Sequence, residues 1–525
     1  MDLISGASIN RAEDDDIESN KESEKSLTDG TTESSRGSSV SSFRRIIPQV
    51  IATTVQSLLL LALGMMVACP TVIIAALHRP KSELPINDSQ ASWFAGILLI
   101  CQPVGSILSG ILQEWCGRKK CMLFVNIPQI VGWYLIYRAE SVDSLLVAAS
   151  LLGMSVGFME APTLSYVGEI AQPHLRGTLA SFTSTYVSAG FFVMYLLGTV
   201  ATWRMTALMS CTVPVISFLC IMMIPDSPIW LLNKGRKLEA EKSLCWLRGW
   251  VTPQEIEREF SSMIRYCEDS KKAYNLQKAT NNTPYTLVSS SPDVITSESR
   301  LNRFFRDLIR PEIMRPLRLV VSYFFFYHCS SLSGFRPYMV NTFTELNMPI
   351  NPHYMTIISA ICQLTGGFCC MALVHKTGKR VLSLVSMSAC VLACFSIGAY
   401  ILLHKYQYVH QPWIPTILFI CLFFCTNLGV SPIPWTLLAE VFPTRGRGIG
   451  GGLSAACYYI EFFLVSKTFL QLQSVLALYG VCFFYGGLGV VGIIYLYFCL
   501  PETEGKRLDE VEKFFKSNNE RNSTY

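Results

Sequence analysis

Four ionisable side chains stand inside long apolar stretches of this sequence: Glu160, Arg336, Glu461 and Lys467. A charge surrounded by hydrocarbon is costly, so such groups usually face a cavity, a bundle interior or one another. Arg336 brings five N–H donors in one plane, suited either to reading a solute's oxygens or to pairing with Glu461. Lys467 reads equally as a residue extending its amine to an interface, and Glu160 as one near the end of its stretch. A second set sits where apolar stretches stop. Glu169 and Arg176 are seven residues apart, as are Glu440 and Arg447. Carboxylates and guanidinium groups so placed can make contacts that are dry when helices close and wet when they part. The plainer reading is a basic rim with incidental acids. Nothing has the spacing of a catalytic constellation: His328, His353 and His375 occur singly, with no metal-ligand cluster, phosphate-binding glycine loop or nucleophile triad. An enzyme is therefore not expected, and neither is a cofactor, a metal ion or a nucleic-acid partner.

The elements that must hold these groups are membrane helices. Half of the 525 residues are hydrophobic and only 15% are charged, well below the quarter usual in soluble proteins. The apolar residues gather in blocks of about twenty, the length a helix needs to cross roughly 30 Å of hydrocarbon. In lipid the backbone must satisfy its own hydrogen bonds, so the blocks must be helices. Twelve are read, near 49–77, 91–113, 121–139, 143–168, 177–200, 204–224, 316–344, 352–374, 380–403, 413–439, 448–472 and 476–499. Basic residues recur at alternate ends: Arg44 and Arg45, Arg118 to Lys120, Arg176, Lys376 to Arg380, Arg445 and Arg447, Lys506 and Arg507. The positive-inside rule makes that side, and both termini, cytoplasmic. The loop 78–90 is then external. Asn87-Asp88-Ser89 becomes the well-placed glycosylation acceptor, whereas Asn281 and Asn522 match the pattern but would face the cytosol. The polar, acidic start carries no basic–apolar leader, so the first span is expected to direct insertion. Most of the 19 cysteines, such as Cys211, Cys369, Cys370 and Cys421, lie in apolar blocks. There cysteine behaves as a small hydrophobe, and no disulfide scaffold is expected.

Five regions follow: a polar tail over 1–45, a six-helix half over 46–224, a cytoplasmic loop over 225–315, a second half over 316–499, and a tail over 500–525. The first tail is rich in Ser, Thr, Asp and Glu and cannot bury a core. Within the loop, Leu238, Leu244 and Leu247 recur at helical spacing over Lys237 to Gly249, which predicts an amphipathic helix. Residues 279–299 read as a flexible loop, and Leu508, Val511, Phe514 and Phe515 as a short helix. Three landmarks repeat in order between the halves. Gly117-Arg118-Lys119 returns as Gly378-Lys379-Arg380, the Glu169 pair as the Glu440 pair, and Pro225-Asp226-Ser227 as Pro501-Glu502-Thr503, at offsets of 261, 271 and 276. Duplicated halves of this kind place a solute site between them at mid-membrane.

On these motifs the sequence resembles the sugar-porter branch of the major facilitator superfamily, and within it the insect facilitated trehalose transporters. The segments carrying the likeness are Gly110 to Lys119, Gly168 to Gly177, Pro225 to Leu232, Lys237 to Gly249, Pro432 to Phe442 and Pro501 to Lys506. The resemblance implies a twelve-helix major facilitator fold in two pseudo-symmetric halves. It implies an inner clamp of Glu114, Arg118, Glu169, Arg176, Glu440 and Arg447. It also implies a sugar site that includes Gln363 and Trp435. Departures are concentrated at that site. Where hexose-binding members carry a glutamine pair and an asparagine in span seven, this chain has Ser330, Ser331 and Arg336. Ser184 replaces a glutamine in span five, and Tyr458 an asparagine in span eleven. In the clamp, Trp115, His375 and Ile229 stand where charged residues are usual. The proton-binding acid that coupled relatives carry in span one is missing from Gly64 to Cys69. The implied function is facilitated, alternating-access transport of a carbohydrate such as trehalose or a hexose. The implied setting is the plasma membrane, as a monomer. An anionic or other small organic solute, or a sugar sensor that does not transport, remain open alternatives.

Overall fold

Because the apolar blocks leave the backbone no partner but itself, the chain folds almost wholly as helix. In the computed structural model the residues described are 42–78, 82–280, 311–408, 411–442, 447–504 and 514–515. The first group is α1 Ser42–Leu77, α2 Asp88–Ile100, α3 Gln102–Cys116, α4 Arg118–Phe124, α5 Asn126–Tyr137, α6 Val142–Ile170, α7 Pro173–Val200, α8 Trp203–Ser210 and α9 Thr212–Met223. A polar connection follows with α10 Pro228–Asn233, α11 Lys237–Leu247 and α12 Pro253–Thr280. The second group is α13 Pro311–Ser330, a 3-10 turn Ser333–Tyr338, α14 Met339–Glu345, α15 Pro352–Thr377, α16 Lys379–Lys405, α17 Trp413–Cys425, a π-turn Thr426–Val430, α18 Pro432–Glu440 and α19 Arg447–Cys499. Among the described residues, eight helical stretches are by themselves long and apolar enough to cross a membrane.

The structure redraws several expected elements. The span expected over 316–344 is not continuous. Its helix stops at Ser330, Leu332 adopts a left-handed φ of 50°, and the chain resumes as a 3-10 turn. A bulky residue held there costs about 1–3 kcal/mol, a strain that tends to collect at functional sites. The blocks 448–472 and 476–499 run together as α19, which breaks at Ala477 with φ 53° and ψ 167°. The predicted amphipathic helix is present as α11, but its buried face is Ala240, Ser243, Leu244 and Leu247, while Leu238 is exposed. Helix α12 takes up the two first residues of the expected 279–299 loop, and the rest of that stretch lies outside the described residues. So do the first tail up to residue 41, Asn281, Asn522, Arg445, Leu508 and Val511. Of the expected tail helix, Phe514 and Phe515 are described; Phe515 is buried and its carbonyl accepts from Arg315 Nη1 at 3.1 Å.

Helices pack most closely where glycine removes the side chain. A methyl group at Gly157 would sit 1.8 Å from the Gln102 carbonyl, and one at Gly105 1.9 Å from that of Met154. Small residues allow such backbone contact between membrane helices. The repeated Gly117 and Gly378 share one backbone geometry, φ 94° and ψ 162° against φ 81° and ψ 159°. Side chains suffer steric conflict there. Across the seam between the groups, α2 and α3 pack on α19, α7 on α15, and α1 on the 3-10 turn and α14.

Candidate functional site: a polar cluster beside an aromatic wall

The broken helix delivers Arg336 to the seam. Its backbone carbonyl accepts from Thr71 Oγ1 of α1 at 2.9 Å, across the two groups. Its guanidinium lies 4.9 Å over the ring of Phe191 on α7 and donates from Nη2 to Gln363 Oε1 at 3.3 Å. That same oxygen accepts from Asn427 Nδ2 at 3.3 Å. Asn427 sits in the π-turn, a local widening that often marks functional helices. Gln363, Asn427 and Arg336 thus converge from α15, the π-turn and the 3-10 turn.

Next to them stands an aromatic wall. Trp435 packs on Phe324 with centroids 5.1 Å apart and on Tyr458 edge-on at 4.9 Å. Tyr458 also meets His328, with ring centroids 4.8 Å apart. His328 is fully buried beside the Tyr458 backbone, yet neither ring nitrogen reaches hydrogen-bond geometry. The expected serines behave differently. Ser330 and Ser331 donate back to the Tyr327 carbonyl at 3.4 and 2.7 Å, and Ser331 exchanges a bond with Ser333 at 2.8 Å. Their hydroxyls are taken up in ending α13 rather than presented to a solute. Ser184 lies in α7, but its side chain is outside the described residues.

Toward the Arg118 and Lys379 ends, each group builds its own charged cluster. Arg118, 9% exposed, donates from Nε to Glu169 Oε1 at 3.0 Å and from Nη2 to Glu114 Oε1 at 3.1 Å. The Ser227 hydroxyl donates to the second oxygen of Glu169, and the Trp230 ring covers Gly117. In the second group, Lys379 Nζ lies 2.5 Å from Glu440 and 2.9 Å from Glu504. His375 Nδ1 is 2.7 Å from Glu504. Glu502 accepts the backbone N–H groups of Lys379 and Arg380, both at 3.0 Å, over Gly378. Burial would raise the Glu504 carboxyl, but the hydrogen bonds and charges of Lys379 and His375 hold it below its ordinary range. The side chains of Arg176 and Arg447 lie outside the described residues. Lys379, Glu502 and Glu504 belong to this second cluster without having been expected there. The sequence signal was the offset that set Pro501-Glu502-Thr503 against the Pro225 motif.

Polar ties across the seam lie at other levels. His78 bridges Asp88, 2.8 Å from Nε2, and Asn341, 3.2 Å from Nδ1. Lys467 Nζ donates to Ser92 Oγ at 2.7 Å, 4.0 Å over the Trp93 ring. Deeper in, the Tyr459 hydroxyl donates to the buried carboxylate of Glu160. Glu160 therefore lies on the seam rather than at an end. Glu461 keeps one oxygen buried without a partner, and no ion pair joins it to Arg336 among the described residues. Asn87 caps α2, accepting from Gln90 N at 2.8 Å, and is exposed. No group of three or more potential metal ligands occurs among the described residues.

The chain is 27% identical over 443 residues to a facilitated trehalose transporter, Tret1, of Culex quinquefasciatus, covering 84% of this chain and 80% of that protein. The Drosophila yakuba Tret1 is 27% identical over 468 residues, covering 89% of this chain but about half, 51%, of that longer protein. Among solved structures, the proton:xylose symporter XylE bound to 6-bromo-6-deoxy-D-glucose superposes with a TM-score of 0.67 at 18% identity, covering 90% of this chain and all of that one. The partially occluded inward-open xylose transporter XylE from E. coli gives the same TM-score of 0.67, also at 18% identity, covering 87% and 99%. The fold is thus that of the major facilitator transporters. Residues 62–515 match the family described as sugar (and other) transporter, and the chain belongs to that family.

Proposed function

We propose that the protein carries a carbohydrate across the plasma membrane by alternating access, as facilitated diffusion. In this reading twelve crossings form two halves, both termini are cytoplasmic, and the monomer is the working unit. The observation that carries the reading is the convergence of Gln363, Asn427 and Arg336 beside the Trp435–Tyr458–Phe324 wall. A sugar ring presents hydroxyls around its edge and C–H groups on its face, and it needs amide and guanidinium partners next to an aromatic plane. Unmet polar groups in such a site cost about 1–3 kcal/mol each, which favours a hydroxyl-rich solute over an apolar one. The absence of an acid over Gly64 to Cys69 supports movement down a gradient. The seam ties His78–Asn341, Ser92–Lys467 and Glu160–Tyr459 are the contacts that would exchange as the halves rock.

The test is uptake by oocytes expressing the full chain, against a panel of trehalose, glucose, other neutral sugars, sugar acids and non-carbohydrate organic anions. Saturable, sodium-independent carbohydrate uptake that falls at least tenfold in Trp435→Ala is the expected result. Uptake of non-carbohydrate anions alone would overturn the reading while leaving the fold intact.

A further inference from the structure

We propose that the carbohydrate this site favours carries an anionic group, and that Arg336 is the residue that reads it. The inference rests on the carbohydrate reading above and narrows it. Arg118, Arg204 and Arg248 each end on a glutamate. Arg336 does not: its described partners are the neutral Gln363 amide and the Phe191 ring. The two intramembrane acids leave it alone. Glu160 is held by Tyr459, and Glu461 forms no ion pair among the described residues. A guanidinium kept among apolar helices without a counter-charge is expensive, and the cost is tolerable where a ligand supplies the charge.

A second observation points the same way. The aromatic wall brings no counter-charge: Trp435, Phe324 and Tyr458 are neutral, and the fully buried His328 packs against the Tyr458 and Phe462 rings. A guanidinium with only neutral partners suits an oxygen-rich anion better than a neutral hydroxyl. The guanidinium is also pre-set. Phe191 stacks it from one half, Gln363 fixes one edge from the other, and Thr71 pins its backbone. A planar fork so fixed matches a carboxylate or phosphate in two parallel bonds.

The experiment is exchange by the purified full-length protein in liposomes, with glucose, trehalose, glucuronate and glucose 6-phosphate as labelled probes. Wild type is expected to exchange an acidic sugar at least tenfold more efficiently than glucose, glucuronate or the phosphate ester leading according to whether the anion is a carboxylate or a phosphate. Arg336→Gln should lose roughly thirty-fold more for the acidic sugar than for glucose, the size of a lost charge-assisted hydrogen bond, so that the acid-to-neutral ratio falls. Arg336→Lys should fall between. Should these variants not fold, competition supplies the answer on wild type alone: glucuronate or glucose 6-phosphate must inhibit glucose exchange far better than trehalose does. Exchange confined to neutral sugars, or an acid-to-neutral ratio unchanged in Arg336→Gln, overturns the proposal and leaves carbohydrate transport standing. Absence of exchange for every carbohydrate overturns both.

Discussion

Replacing Lys379 with methionine isolates the second charged cluster. The Lys379 side chain is 8% exposed and holds Glu440 at 2.5 Å and Glu504 at 2.9 Å, carboxylates 28% and 21% exposed. Methionine keeps the stem and removes the charge, leaving two acids facing each other. Removing one partner of a buried pair costs about 3–5 kcal/mol. Partial exposure of both acids lets water recover some of that, so about 2–3 kcal/mol is expected. Thermal unfolding in detergent measures the loss. Adding Glu440→Gln and Glu504→Gln to Lys379→Met should return most of it, because the repulsion disappears with the charges. The pH profile gives an independent reading. Glu504 is held below its ordinary value of 4.5, so its stabilisation is complete above that value and is lost as pH falls through the lower folded value. Lys379→Met, which removes one of the two groups holding it down, should flatten that acid limb. An unchanged unfolding temperature, or an acid limb identical to wild type, would refute the cluster as a stabilising contact.

Further outcomes follow from other contacts. Tyr459→Phe leaves the buried Glu160 carboxylate without its hydroxyl and should cost about 1–3 kcal/mol in unfolding, with Glu160→Gln in the same background recovering part of it; additive losses in that cycle would separate the two residues. Asp226 lies outside the spans, its carboxyl raised by burial against the pull of Lys119, and one oxygen is buried unbonded. A raised carboxyl disfavours the charged folded form, so Asp226→Asn should stabilise near neutral pH by about 1 kcal/mol or less, with the gain fading as pH falls toward 3.8. Removing glycans should shift the electrophoretic mobility of wild type but not of Asn87→Gln; a shift persisting in the mutant would contradict an external 78–90 loop.

Hydropathy made most helices legible, because crossing lipid demands long apolar runs whatever the tertiary contacts. The break at Leu332 was not legible. Nothing in an apolar run announces a left-handed leucine; its N–H donates to the Cys329 carbonyl at 3.2 Å, and the 3-10 turn that follows packs on α1 and α19. Charge spacing picked out Glu169 and Glu440 but paired them with Arg176 and Arg447, whereas the structure joins them to Arg118 and Lys379, bases that other helices bring alongside. It missed Lys379 bridging Glu440 to Glu504, where the acid comes from the tail 125 residues on. In the polar cluster, Arg336 was readable as a charge in an apolar block, and Gln363 through the family resemblance. Asn427 was readable as a polar residue in an apolar block but went unremarked, and Ser330 and Ser331 looked available for a ligand until the helix end claimed their hydroxyls. Glu160 looked peripheral by count along its helix, whereas the fold brings Tyr459 to it from 299 residues away.

The central claim is that Gln363 and its neighbours bind a carbohydrate that crosses between the halves. Trans-stimulated exchange in proteoliposomes addresses it most directly, using wild type and Gln363→Leu at matched protein density and a mixed panel of neutral and acidic sugars. Saturable exchange of at least one carbohydrate, with its half-saturating concentration raised tenfold or more by Gln363→Leu, is the predicted result. No exchange of any carbohydrate by wild type, or exchange indifferent to Gln363→Leu, would contradict it.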